Sequence, residues 1–338
     1  LFVAVLAPLL FNANYDLQII VPVTAVVVLV AIGGRERHSP RRVLREAFIN
    51  LAVIGLCGAT TYMAVINYRQ GAGALYLGRN FYGSLRVTDL PLATPEMQRR
   101  QLLNGTIDHG EQFTFPAKQK EPLTYYSRAS GVGLVLDELG KQNPLSVGVI
   151  GLGTGTIGTY CRSGDAYRFY DINPMVKSIA LNEFYYLRAC PRETTIVLGD
   201  ARLSLESEMP QHFDVLAIDA FISDAIPIHL LTREAFALYW RHLKPDGVLA
   251  VHVSNRYVDL EPIVAKAAAE SGKIARLIEN DSDVAEGISR ASWVLVTSRK
   301  DLFDRPAFRK ATMIDVPLNF RAWTDDYSNL WKVLRIRL

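Results

Sequence analysis

The chain has 338 residues, 49% of them hydrophobic and 21% charged, which supplies a large core and excludes global disorder. Its formal charge is only +3 and its Lys and Arg residues are spread along the chain, which excludes a nucleic-acid footprint. Cys57, Cys161 and Cys190 lie far apart, form no metal-ligand spacing and no even disulfide set, and so point to a reducing compartment and no metal site.

The chain begins at Leu1 inside an apolar run, and a natural N-terminus further upstream is expected. Leu1 to Phe11 reads as the tail of a hydrophobic helix. Leu17 to Gly34 is uncharged and rich in Val and Ile. A basic loop follows, with Arg35, Arg37, Arg41, Arg42 and Arg45, and then Ala47 to Ile66 is again uncharged. A bilayer core takes about 20 apolar residues per helix, so both uncharged segments fit as spans. They are apolar all round, unlike surface helices of soluble domains. Residues 1–70 are therefore expected to be membrane helices.

Gly71 and Gly73 mark a linker. Short strand patterns follow, such as Phe81 to Val87 and Gln101 to Leu103, the latter ending on Asn104-Gly105, a strong hairpin signal. Residues 75–126 read as a small antiparallel sheet. From Ser146 strands alternate with helices: Val147 to Ile150, Tyr167 to Tyr170, Thr195 to Leu198, Phe213 to Ile218 and Val248 to Val253, with helices such as Pro174 to Arg188 and Thr232 to His242 between them. This alternation predicts an α/β fold, a doubly wound Rossmann-like, methyltransferase-type sheet, over residues 127–338.

The chemistry concentrates at strand ends. Gly151-Leu-Gly153-Thr-Gly155-Thr-Ile-Gly158 directly follows the first strand, where glycines let the backbone turn and approach a ligand at a helix start. Asp171, Asp200 and Asp219 end the next three strands. A nicotinamide site uses the glycines and Asp171 but leaves Asp200 and Asp219 unexplained. An adenosyl-sulfonium site uses all four, with Asp171 on the ribose and Asp200 on the adenine amino group. Asp219 and Asp224 share a loop beside that cationic site, which suits an amine substrate. A free amine is protonated near neutral pH, so one carboxylate can hold it and another can take its proton. His229 and Thr232 follow, Thr232 as a helix cap.

On these motifs the sequence resembles the spermidine synthase family of polyamine aminopropyltransferases, in the bacterial branch fused to membrane helices. The resemblance covers about Arg79 to Arg335. It includes Arg79-Asn-Phe-Tyr-Gly83, Asp108-His-Gly110-Glu-Gln112, Thr124-Tyr-Tyr126, Ser130-Gly-Val-Gly133, Gly199-Asp200-Ala201, the Asp219 to Thr232 loop and Trp323 to Asn329. It implies that Gln112, with Tyr125 or Tyr126, lines the site, that Gly151, Gly153, Gly155, Asp171, Asp200 and Ala201 hold the nucleoside donor, and that Asp219 is the catalytic acceptor. It further implies that Tyr126 assists, and that Asp224, Tyr125 and His229 meet the amine.

The family pattern also places a Glu within two residues of the tyrosine and two aspartates three apart; here Ser127 and Arg128 follow Tyr126, and Asp219 and Asp224 are five apart. The diamine grip is thereby reduced. Asp325 and Asp326 read either as a closure of the cavity or as a solvated turn, Arg128 as solvated, and Trp240, Trp293 and Trp331 as core residues.

The expected activity is aminopropyl transfer from decarboxylated S-adenosylmethionine to an amine such as putrescine. Two alternatives stay open: a methyltransferase using S-adenosylmethionine, and a non-catalytic membrane sensor of polyamine or nucleoside. Partners are a small amine and a membrane, with no nucleic acid; a homodimer stays open. The positive-inside rule puts the basic loop in the cytosol and a single following span would put the α/β domain outside. The cytosolic origin of the donor and the unpaired thiols favour the bacterial inner membrane with a cytosolic domain.

Overall fold

The computed structural model describes residues 10–12, 15–33, 42–192, 194–220 and 227–335. The apolar run at Leu1 and most of the basic loop lie outside these residues. The chain falls into two units, Leu1–Thr88 and Asp89–Leu338.

The first unit holds helices α1 (Asp16–Gly33) and α2 (Arg42–Gly71) and the hairpin of β1 (Tyr76–Asn80) and β2 (Gly83–Leu90). Within α2, Glu46–Arg69 is long and apolar enough to cross a membrane, and none of it is buried inside the protein. The other expected span is helical as well, but its apolar stretch, Gln18–Val28, is shorter, and Pro22 lies inside it. The strand expected to start at Phe81 begins at Gly83, because Asn80 pairs with Gly83 across a turn made by Phe81 and Tyr82. Arg79 bonds to both carboxylate oxygens of Asp16 at 3.0 and 2.5 Å, tying β1 to the start of α1.

The second unit opens with the hairpin of β3 (Arg99–Asn104) and β4 (Ile107–Phe113), closed by Gly105 at φ +61°. The expected antiparallel sheet is thus present as two hairpins, one in each unit. The main sheet has seven strands in the order β10-β11-β9-β8-β5-β6-β7: β5 (Ser146–Ile150), β6 (Ala166–Asp171), β7 (Thr195–Leu198), β8 (Phe213–Ile218), β9 (Leu243–His252), β10 (Ile274–Asn280) and β11 (Ala291–Thr297). Strands β5 to β9 run parallel, while β11 pairs antiparallel with both β9 and β10. The sequence pattern located the parallel strands and not the antiparallel pair.

Alternation along each strand builds the two faces. Val147, Val149, Val215, Ala217, Val248 and Ala250 enter one apolar cluster with Val132, Val135 and Leu136 of α3 (Gly131–Gly140). Leu216, Ile218, Leu249 and Val251 enter the other with Leu205 of α5 (Ala201–Ser207), Phe236 and Tyr239 of α6 (Arg233–His242) and Ile263 of α7 (Glu261–Glu270). Burial on both faces explains why these strands read as nearly continuous apolar runs. Helix α4 (Pro174–Asn182) is shorter than expected and is followed by a separate 3₁₀ turn, Tyr186–Ala189. Thr232 caps α6 by accepting from Ala235 N. Trp293 is fully buried and Trp240 partly so, but Trp331 is 83% exposed, so the expectation of a core residue fails there.

The expectation of unpaired thiols is also corrected. Cys161 and Cys190 form a disulfide, and Cys57 on α2 is free and exposed. Each paired cysteine ends a 3₁₀ turn, Thr156–Tyr160 and Tyr186–Ala189, and the two turns pack side by side. Linear spacing does not reveal such an adjacency, and the thiol argument for a reducing compartment is withdrawn.

Strand β4 carries a buried carboxylate. Glu111 accepts from Gln101 Nε2 at 3.1 Å and pairs with Arg99 at 3.0 Å. Burial and the nearby charge of Asp108 push it up to about 7, against the pull of Arg99.

Two outcomes follow for the purified chain. Replacing both Cys161 and Cys190 with Ser should lower unfolding stability by roughly 2–4 kcal/mol in denaturant titrations. Because the native state binds the Glu111 proton more tightly than the unfolded chain, its contribution is full below the ordinary carboxylate value of about 4.3 and is lost as pH rises through about 7. Glu111→Gln should therefore flatten the stability profile between those values, by on the order of 2 kcal/mol.

Candidate active site

Register brings the sequence landmarks into one row. Ile150 lies opposite Tyr170 of β6 and Ile218 of β8, and Asp171 lies opposite Leu198 of β7. Gly151, Asp171, Gly199-Asp200 and Asp219 therefore emerge together at the carboxyl edge, on either side of β5, where the strand order reverses and open α/β sheets bind ligands.

Gly151 has φ +96°, and a Cβ there would stand 2.1 Å from Asp219 O, so this position requires glycine. Gly153 and Gly155 also adopt positive φ. On the opposite wall, a Cβ at Gly110 would meet Thr154 Oγ1 at 2.5 Å, so β4 packs directly on the glycine loop. The loop leads into the short 3₁₀ turn Thr156–Tyr160, whereas a pyrophosphate-binding loop opens onto an α-helix N-terminus. A dinucleotide site is thereby disfavoured.

Asp171 receives Leu152 N at 2.9 Å and Asn173 N at 2.8 Å, one on each oxygen. Burial raises its pKa against these two donors. Each oxygen keeps a lone pair that a ribose hydroxyl can use. Asp200 caps α5 through Leu203 N at 3.0 Å, and its second oxygen meets His229 Nε2 at 2.9 Å. Ala201 is the buried first residue of that helix. His229 and Asp200, expected on substrate and nucleoside respectively, are thus partners of each other.

Asp219 is enclosed, with 4% of its side chain exposed. One oxygen accepts a hydrogen bond from Tyr126 Oη, and the other meets His252 Nδ1 at 2.7 Å. Burial and the charge of Asp219 push the Tyr126 phenol well above its ordinary value, so it stays a donor. Tyr125 is likewise raised, and its ring stacks on His252 at 4.7 Å. Both tyrosines follow Thr124, which has φ +55° and is clamped by bonds to Gly287 O and from Ser289 N. Asp224 lies outside the described residues.

Gln112 is occupied by backbone. Its Oε1 accepts from Tyr185 N at 2.8 Å and its Nε2 donates to Gln119 O at 3.0 Å. It lines a cavity of about 210 Å³ with Arg100, Asn182 and Arg188. Arg128 is paired with Asp137 at 2.9 Å, and Asp325 is forked by Arg202 at 2.7 and 2.6 Å and accepts from Thr232. Asp325 thus anchors the C-terminal segment to α5 and α6.

Sequence reasoning missed His252 and His109. His252 ends β9, level with Asp219, and the strand-end rule that singled out the aspartates applies to it equally. His109 on β4 is held below its ordinary value by burial, against the charges of Asp219 and Asp108. No group of His, Cys, Asp and Glu able to hold a metal occurs among the described residues.

No protein-family model matches the chain. A stretch of 112 residues, 32% of this chain and 19% of the relative, is 33% identical to the N-terminal histidine N-methyltransferase of Emericella nidulans. A stretch of 132 residues, 38% of this chain and 42% of the relative, is 29% identical to the polyamine aminopropyltransferase of Vibrio vulnificus. The matched stretches thus span less than half the length of these curated relatives. The solved spermidine synthase of Thermotoga maritima matches 75% of this chain and 81% of its own, with a TM-score of 0.51 at 17% identity. The chain has a spermidine synthase-like fold.

Proposed function

We propose that this chain is an alkyl transferase that moves an aminopropyl group from decarboxylated S-adenosylmethionine to an amine such as putrescine. The observation that carries this reading is the row Gly151, Asp171, Asp200 and Asp219 at one sheet edge, with Asp219 enclosed and facing two hydrogen-bonding side chains. The glycine loop gives the donor room, Asp171 binds its ribose, and Asp200 and Ala201 lie at the base.

Asp219 binds the substrate ammonium and takes one proton from it. The freed nitrogen then attacks the carbon beside the sulfonium. A C–N bond forms, the C–S bond breaks, and the sulfur leaves as a neutral thioether. Asp224 and Tyr125 contribute to the amine subsite in this reading.

A second reading, methyl transfer from S-adenosylmethionine, is favoured by the match to the histidine N-methyltransferase. In either case α2 tethers the chain to a membrane. The cytosolic origin of the donor supports a cytosolic α/β unit at the bacterial inner membrane. The Cys161–Cys190 disulfide argues for the opposite face, since such bonds persist in oxidising compartments.

Calorimetric titration of the purified chain should show preference for decarboxylated over intact S-adenosylmethionine; the reverse preference favours methyl transfer, and binding of neither sinks both. Asp219→Asn should keep donor affinity while turnover falls by about 10²–10⁴-fold. Unchanged turnover would remove Asp219 from the role of proton acceptor.

A further inference from the structure

We infer that His252 is a positioning residue for the transfer: its Nδ1–H donates to Asp219 Oδ1 and holds that carboxylate oriented for the incoming amine. This rests on the reading of Asp219 as the group that receives the amine.

The chain of contacts behind His252 begins at the backbone. Ser292 N donates to Ser254 Oγ at 2.8 Å. The Ser254 hydroxyl still has its own proton, which it can give to His252 Nε2 at 2.8 Å. In that arrangement Nε2 is the acceptor and Nδ1 carries the hydrogen. Nδ1 lies 2.7 Å from Asp219 Oδ1, an acceptor when ionised. Both contacts are satisfied by the Nδ1–H tautomer. The order Asp, His, Ser is that of a serine-nucleophile triad. Here the backbone N–H of Ser292 engages the Ser254 oxygen as well, which makes Ser254 the anchor of the imidazole.

The ring is also fixed in orientation. Tyr125 stacks against it at 4.7 Å and 17°, and Trp293 at 4.8 Å and 23°. Trp293 Nε1 donates to Tyr125 O at 3.0 Å, closing the stack. The His252 side chain is 6% exposed. An imidazole so clamped keeps one hydrogen-bond direction, which makes it suited to orienting Asp219. With Tyr126 on the other oxygen, the carboxylate is held from both sides and its remaining lone pairs are directed to the substrate. His252 does not take the substrate proton: that proton goes to Asp219 and leaves to solvent after the product departs.

The test compares the full chain in detergent as wild type, His252→Asn and His252→Ala. Asparagine can place a donor N–H near the Nδ1 position; alanine cannot. His252→Asn should stay within about 10-fold of wild-type kcat, and His252→Ala should fall about 100-fold or more, with donor affinity by calorimetry unchanged in both. The ¹⁵N spectrum of labelled histidine should give His252 the Nδ1–H tautomer, and Ser254→Ala should mix the two tautomers. Where His252→Ala fails to fold, the spectrum and Ser254→Ala decide. Wild-type kcat in His252→Ala, equal losses in both His252 variants, or an Nε2–H tautomer would overturn the inference alone. Wild-type chain that binds donor but transfers to no amine overturns the functional reading and this inference with it.

Discussion

A carboxylate with 4% of its side chain in contact with solvent, at the end of a parallel strand, is the constraint around which the candidate site is built. Burying an ionised group costs several kcal/mol unless hydrogen bonds replace its water. Asp219 obtains them from Tyr126, ahead of α3, and from His252, at the end of β9. Each donor then needs its own support. Tyr126 depends on Thr124 in a left-handed conformation that β-branched residues avoid, secured by Gly287 and Ser289. His252 depends on Trp293, which β11 places directly opposite it in register. The antiparallel strand beside β9 thus does more than extend the sheet: it supplies the ring against which the imidazole stacks.

The same carboxylate explains the glycine at the end of β5. Asp219 N bonds to Ile150 O at 2.8 Å, which draws β8 against β5 and brings the Asp219 carbonyl over Gly151. A side chain there would force the strands apart and turn Asp219 out of line with Tyr126 and His252. Residue identity at Gly151 and carboxylate orientation at Asp219 are one requirement seen from two strands. Further along the loop, Leu187 fills the space against Gly155 and Gly158, and the Cys161–Cys190 bond fastens the same two 3₁₀ turns. The loop is consequently shaped by its packing, with no α-helix behind it.

The sequence carried the parallel strands, because strands buried on both faces read as runs such as Val147 to Ile150, and it carried the aspartates, because each ends such a run. It carried the hairpin at Asn104-Gly105 through local turn chemistry. What it did not carry depends on neighbours distant in the chain. The disulfide joins turns whose adjacency arises only after α4 folds back on the sheet. His252 escaped notice because a strand-end histidine has no spacing signature, and its meaning comes from Asp219 and Trp293 beside it. Trp331 was misjudged because aromatic character was taken for burial. Gln112 was expected to line the site, and its amide is engaged by Tyr185 and Gln119, a pairing across 73 residues in one direction and seven in the other.

Charge at the inner corner of the site bears on which donor fits. The glycine loop passes close to β4, where a Cβ on Gly153 would stand 3.0 Å from His109 O. Beside it Asp108 accepts from Gly110 N at 2.8 Å, and its negative charge acts on His109, Glu111 and Tyr125. Arg99, on the neighbouring strand, is committed to Glu111 at 3.0 Å. On the proposed reading, if the donor tail entered this corner, the carboxylate of intact S-adenosylmethionine would be repelled by Asp108. The decarboxylated donor would bring only an ammonium there, which the charge of Asp108 would attract. That charge lies on the β4 side of the cleft, independently of Asp219, and on the proposed reading it suits the aminopropyl donor before any acceptor is considered.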